Sequence, residues 1–286
     1  MLGDTDILAI KTGTLSDEST IQVVASALKN SYGENVPGLV CDSVRVPAPG
    51  HEPLADSALE SLVREILPLA TLAILNKSEA EYVISRKWHK VAISNLADMV
   101  SASKKLLDLS ARAILLKGSS VSTTTMEVMM LLGKDPTISV YEYGLPDENT
   151  NILRGGLGGG DRVAQVVADV LQVSSGPNGK AHTSIFVRPR AKSADNTHGK
   201  RGTLSAASAC GLARGLTSNL PFLIPVLKIH MVHLVPEVVR DGTIYAYLGI
   251  LHAVRSGQGP SLNHNHSVVS VFVPRCVFLL STSRIH

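Results

Sequence analysis

Short apolar runs alternate with stretches of helical period along the first half of the chain. Ile7–Ile10 reads as a strand, and residues 19–29 place Ile21, Val24 and Leu28 on one helical face, with Ser16 as the candidate cap. Gly38–Asp42 is a second strand. Residues 55–67 carry Leu59, Leu62, Val63 and Ile66 on one face of an amphipathic helix. Leu72–Leu75 and Ala113–Leu116 are further strands, with a helix over 95–109 between them. Strands separated by helices of this length form βαβ units, so the pattern predicts an α/β domain around a mostly parallel sheet. Further on, 137–141 and 183–187 read as strands, and 161–171 and 203–215 as helices. Residues 220–234 form an apolar, Pro-interrupted insert that breaks the final helices. The apolar, β-prone run 268–280 either pairs into a sheet or leads into further chain.

Composition agrees with such a core. The chain is 44% hydrophobic but only 4% aromatic, so Val, Leu, Ile and Ala must fill the interior, as they do in helix-covered parallel sheets. A net charge of +3 without a dense basic run gives no reason to expect nucleic acid. No apolar run reaches the roughly 18 residues of a membrane helix, and the first twenty residues lack a signal-peptide core. Cys41, Cys210 and Cys276 show no metal-ligand spacing and read as thiols in a reducing compartment. The expectation is a cytoplasmic protein without a membrane partner, and a homo-oligomer is left open.

Ligands of parallel sheets bind at the carboxyl ends of the strands, so the residues there carry the candidate chemistry. Asp42 ends a strand and is either a turn former or a metal or substrate ligand. Asn76-x-x-Glu79 is either a helix N-cap with a first-turn acid or a carboxylate holding a Mg²⁺-bound water. Lys117-Gly118 is either a solvated turn or a phosphate site, with the lysine as point charge and the glycine giving a nucleotide access to the backbone. Gly199 and Gly202 flank a turn that opens the helix beginning at Thr203. It is either an ordinary loop-to-helix turn or an anion hole whose amides and dipole would stabilise a transferring phosphate. Gly155–Gly160 follows a poor strand and reads as a flexible loop, and His264-Asn265-His266 lacks the further ligands of a metal site.

In this order the pieces resemble the phosphomethylpyrimidine kinases of the ribokinase-like superfamily. Lys11-Thr12-Gly13-Thr14-Leu15 is similar to K-x-G-M-L, and Val40–Val46 with Gly50-His51 to V-x-D-P-V-M-V…S-G-H. Residues 65–71 with 76–81 resemble L-L-P-L-A-T…T-P-N-x-x-E-A-E, and Leu115-Leu116-Lys117-Gly118 resembles V-L-V-K-G-G-H. Thr197-His198-Gly199 and Thr203-Leu204-Ser205-Ala206-Ala207 match the signature T-H-G-T-G-C-T-L-S-A-A. Residues 257–267 are similar to the G-x-G-P-L-N-H-x-H-S segment that follows the kinase domain in fungal members.

The resemblance implies a ribokinase-like three-layer sandwich, incomplete at the N-terminus, with a partial kinase domain over 1–256 and a linker-like segment and irregular tail over 257–286. It implies ATP and Mg²⁺ as cofactors and a pyrimidine as small-molecule substrate. Lys117, Gly118, Asn76 and Thr203 would meet the nucleotide, and Glu79 and Asp42 the metal. The activity implied is phosphorylation of hydroxymethylpyrimidine and its phosphate for thiamine synthesis.

Two departures count against full activity. The family's glycine-rich loop A-G-x-D-x-S-G-G-A-G-x-Q-A-D has no counterpart here. The family's cysteine base aligns with Gly202, which cannot take a proton. Cys210 lies about two helical turns further on, roughly 12 Å away. The expectation is an impaired kinase, or a catalytically inactive kinase-like binding protein. A pyridoxal or sugar kinase of the same superfamily is a third reading, weakened because no Asp stands near Gly202.

Overall fold

We describe the chain from a computed structural model, over residues 7–42, 54–88, 90–109, 111–143, 164–174, 181–190, 200–217 and 224–251, with the strand segments 254–256, 259–261 and 276–279. Gly199, Gly155–Gly160 and His264–His266 lie outside these residues.

The first four strands are β1 (Ala9–Thr12), β2 (Gly38–Cys41), β3 (Leu72–Asn76) and β4 (Ala113–Lys117). They pair in parallel, in chain order. Between them run α1 (Glu18–Tyr32), α2 (Asp56–Ser61), α3 (Lys77–Lys87) and α4 (Leu96–Leu107). The cap of α1 is Asp17, whose carboxylate accepts from the Thr20 amide, and not Ser16 as the sequence suggests. An ionised carboxylate is the stronger acceptor for exposed N-terminal amides. After α2 the amphipathic stretch widens into a π-turn over Leu62–Ile66 and then tightens into a 3₁₀-turn over Leu67–Leu69, with Pro68 in its first positions, ahead of β3.

After β4 come β5 (Thr123–Thr124), α5 (Thr125–Lys134) and β6 (Ser139–Glu142). The expected helix over 161–171 is instead a strand over its described part. β7 (Gln165–Val173) runs antiparallel to β4 and to β8 (His182–Pro189). Apolar residues at 166, 167, 170 and 171 satisfy a helical face as well as a strand buried on both sides. The valine-rich content decides for the strand.

α6 (Lys200–Thr217) and α7 (Ile224–Leu251) follow. α7 runs on through Pro236, so residues 224–234 extend the last helix, and the sequence expectation that the insert breaks it is corrected. A small hairpin of β9 (Val254–Ser256) and β10 (Gly259–Ser261) stands apart from the main sheet. β11 (Cys276–Leu279) returns to pair in parallel with β1, as the apolar run near the end of the sequence suggests.

The main sheet has the order β11-β1-β2-β3-β4-β7-β8-β6, with β5 laid along β7. Alternate residues feed two separate cores. Ile10, Leu39, Ala73, Leu75, Ile114 and Leu116 face the layer of α1 to α5. Ala9, Val40, Leu72, Ile74, Ala113 and Leu115 face α6 and α7. A sheet buried on both faces explains why its strands read as continuous apolar runs. Among the described residues no helix is long and apolar enough to cross a membrane.

Candidate functional site

Because β1 to β4 are parallel, their carboxyl ends share one edge of the sheet. Two positions beyond Ala9, Val40, Ile74 and Leu115, on the α6 side, stand Lys11, Asp42, Asn76 and Lys117. The sequence places all four just after strands, where ligands of parallel sheets bind, and the topology puts them on neighbouring strands. Asn76 and Lys117 are directly paired in the register. Lys11 is buried at the same crest.

The first turns of α6 lie against this crest. The Ser205 hydroxyl donates to Asp42 Oδ2 at 3.0 Å and is shared with the Gly202 carbonyl oxygen at 3.2 Å. Both Ser205 and Asp42 are buried. This bond joins residues 163 positions apart and fixes the amino end of α6 beside the end of β2. The helix begins at Lys200, so Gly202 lies within its first turn and not in a turn preceding it, as the sequence suggests. Gly202 is exposed, and a Cβ added there would meet nothing within 4 Å. Thr203, the next residue, is half-buried. No acid-base side chain stands at position 202, and the first turn of α6 carries amides without partners inside the helix, at the positive end of its dipole.

Asn76 and Glu79 form a reciprocal capping box. Asn76 Oδ1 accepts from the Glu79 amide at 3.0 Å, Glu79 Oε2 accepts from the Asn76 amide at 2.8 Å, and Glu79 Oε1 accepts from Asn76 Nδ2 at 2.8 Å. Glu79 is only 1% exposed, so both oxygens are committed to the cap of α3. Among the described residues no three His, Cys, Asp or Glu side chains gather in a way that could hold a metal ion. Asp42 and Glu79 are both buried, and both accept hydrogen bonds.

Gly118 departs from the role expected of it. A Cβ there would stand 1.9 Å from the Ala168 carbonyl oxygen, so the glycine admits the β7 backbone where a nucleotide was expected. Its amide donates to Asp169 Oδ1 at 2.8 Å. Asp169 is buried and ion-paired with Arg188 of β8. Burial is the largest influence on the Arg188 guanidinium and would lower it, but the charge and hydrogen bond of Asp169, together with the Tyr143 and Tyr247 phenols, outweigh this and hold it above its ordinary value. Arg190, at the end of β8, donates to the Ser119 and Val121 carbonyls at 3.1 Å each. Burial raises the neighbouring Tyr143 phenol far above its usual range and keeps it neutral.

The sequence reading missed Asp169, Arg188 and Arg190. The available signal was a lone carboxylate inside Val166–Val173 and two arginines spaced by two near Pro189, both intelligible once these segments are strands.

Two hollows lie elsewhere. A groove of about 690 Å³ between the outer helices is lined by Glu60, Arg64, Arg86 and Asp108. A cavity of about 10 Å³ lies in the apolar core by Cys41 and Leu62. Neither includes a crest residue.

The family model described as phosphomethylpyrimidine kinase matches residues 1–168. The hydroxymethylpyrimidine/phosphomethylpyrimidine kinase of Rhizobium meliloti is 26% identical over 216 residues, covering 76% of this chain and 60% of that protein. A protein of the same name from Streptomyces coelicolor is 30% identical over 129 residues, 45% of either chain. The chain thus spans 45 to 60% of the length of these curated relatives. Among solved structures, pyridoxal kinase of Bacillus subtilis in complex with ADP superposes with a TM-score of 0.57 at 19% identity, over 90% of this chain and 70% of that one. That likeness establishes the fold: a central sheet flanked by helices, of the ribokinase-like kind.

Proposed function

Because this chain belongs to the phosphomethylpyrimidine kinase family, we propose that it binds ATP at the crest of β2 to β4 and α6, and that its phosphoryl transfer to hydroxymethylpyrimidine and its phosphate is impaired. The observation that carries the binding half is the Asp42–Ser205 bond, which seats the first turn of α6 beside strand ends bearing Asn76 and Lys117. Phosphoryl transfer asks the protein mainly for positioning and for stabilisation of charge on the transferring group. The α6 amides and dipole supply that stabilisation, and Lys117 supplies a point charge for the nucleotide's phosphates. Mg²⁺ would come with the nucleotide, held mostly by phosphates and water.

The observation that carries the impairment is Gly202. The substrate hydroxyl must lose its proton, and no side chain at this position can receive it. A positioned general base contributes about 10²–10⁴-fold to rate. Turnover is therefore expected to fall by that order against a family member that retains the cysteine. An inactive nucleotide-binding protein is the second reading, favoured by the same residue.

Calorimetric titration with MgATP, together with coupled ADP release in the presence of hydroxymethylpyrimidine, tests both. We expect saturable binding with weak or absent ADP release. Release at the rate of a cysteine-bearing relative would refute the impairment, and no heat of ATP binding would refute the nucleotide site. Pyridoxal in a parallel assay tests the remaining substrate class.

A further inference from the structure

We propose that the β7–β8 hairpin is the positioning element of the nucleotide site, holding the turn after β4 in its binding shape through Asp169 and Arg190. The inference rests on the nucleotide reading above and extends it to residues outside the crest.

The turn that carries Lys117 and Gly118 leads from β4 into β5. Its internal backbone bond runs from the Val121 amide to the Gly118 carbonyl at 3.0 Å. The hairpin holds it from three directions. Asp169 Oδ1 accepts the Gly118 amide, Arg190 donates to the Ser119 and Val121 carbonyls, and the Ala168 carbonyl fills the space a Cβ would need at Gly118. The next residues stay on the same strand. Ser122 Oγ donates to Gln165 Oε1 at 3.1 Å, Thr123 and Thr124 pair with Val166 and Gln165, and the Thr125 amide donates to the Ala164 carbonyl.

A carboxylate 1% exposed is costly unless paired, and here Arg188 pairs it. The pair with Arg188 thus fixes the Asp169 carboxylate in place, where Oδ1 accepts from one backbone amide of the turn. Preorganised turns of this sort spare a ligand the entropy of ordering them. Asp169 and Arg190 are positioning residues: they act through the backbone of 118–121 and need not touch the nucleotide.

The Arg190→Gln variant is the cleanest test, because Arg190 is exposed and its loss leaves no buried charge. Asp169→Asn with Arg188→Gln is the second test, which avoids a lone buried cation. MgATP affinity is read by calorimetry, and amide hydrogen exchange is read at Gly118, Ser119 and Val121 with α1 amides as the internal reference. We expect roughly tenfold weaker MgATP binding in the variants, faster exchange in the turn, and unchanged exchange in α1. Wild-type affinity and turn exchange in Arg190→Gln would overturn the proposal and leave the nucleotide site standing. No MgATP binding by the unaltered protein would overturn both. Uniformly faster exchange, α1 included, would show a general stabilising role and overturn the positioning role.

Discussion

Asn76 and Glu79 answer for each other at the scale of single residues. Asn76→Ala removes the acceptor of the Glu79 amide and also the donor to Glu79 Oε1, on a carboxylate only 1% exposed. Losing an N-cap costs about 1 kcal/mol, and leaving a buried acceptor unsatisfied costs about 1–3 kcal/mol more. Urea unfolding of Asn76→Ala is therefore expected to show a loss of about 2–4 kcal/mol, where a surface asparagine would give almost none. The cap of α1 makes a prediction in pH. Hydrogen bonds from Ser19, and then from the Thr20 amide and hydroxyl, hold Asp17 well below the usual carboxylate range. The unfolded chain, with an ordinary aspartate near pH 4, binds that proton first as pH falls. Asp17 thus contributes stability that is complete above about pH 4 and is lost as pH drops towards its folded value. Urea midpoints measured from pH 5 to 2.5 should fall less steeply in Asp17→Asn than in the unaltered protein, and parallel curves would refute this role.

Elements are where the sequence was both most and least legible. β1 to β4 and their helices stood out because short apolar runs and 3.6-residue faces are local signals. The capping pattern at Asn76 is local too. The bond from Asp42 to Ser205 spans 163 positions and has no local sign. One mistaken period did the remaining damage. With 161–171 taken as a helix, neither the Ala168 carbonyl over Gly118 nor the Asp169 acceptor could be foreseen, and Gly118 was given to a ligand. α5 also escaped, since Val128 is its one buried residue while Met126, Met129 and Met130 are exposed. α7 offers a test of how elements are joined. Proline in a helix interior costs about 3 kcal/mol against alanine, whereas at the first helical position it is favourable. Pro236 stands in the thirteenth position of a continuous α7, so Pro236→Ala should raise the thermal midpoint. A lowered midpoint would mean that the helix starts at Pro236 and that residues 224–235 are not part of it.

On the scale of the whole molecule, the two ends of the sheet are built differently. β6, at one end, is half-buried at all four positions, as suits a true edge. β1 is buried at all four of its positions, Lys11 and Thr12 included. That burial depends on β11, which pairs with β1 from Ala9↔Cys276 to Thr12↔Leu279 and makes an interior strand of what would otherwise be the edge. Two consequences follow for a chain ended before Cys276. The open side of β1 would present unpaired amides and carbonyls next to apolar residues, which invites pairing with another copy. Re-exposing part of Ile10 and its neighbours would cost about 2–4 kcal/mol at the usual value for large apolar side chains. The truncated protein is therefore expected to unfold at lower urea and to elute from a sizing column as larger species with rising concentration. Adding a basic side chain on the new edge, as in Ala9→Lys, would not separate the two effects, because Ala9 is fully buried against α6 and α7. The urea midpoint at a fixed low concentration does separate them, since self-association fades on dilution and lost burial does not. A truncated chain that stays monomeric with an unchanged midpoint would show that β1 is a self-sufficient edge and that β11 adds nothing to the sheet.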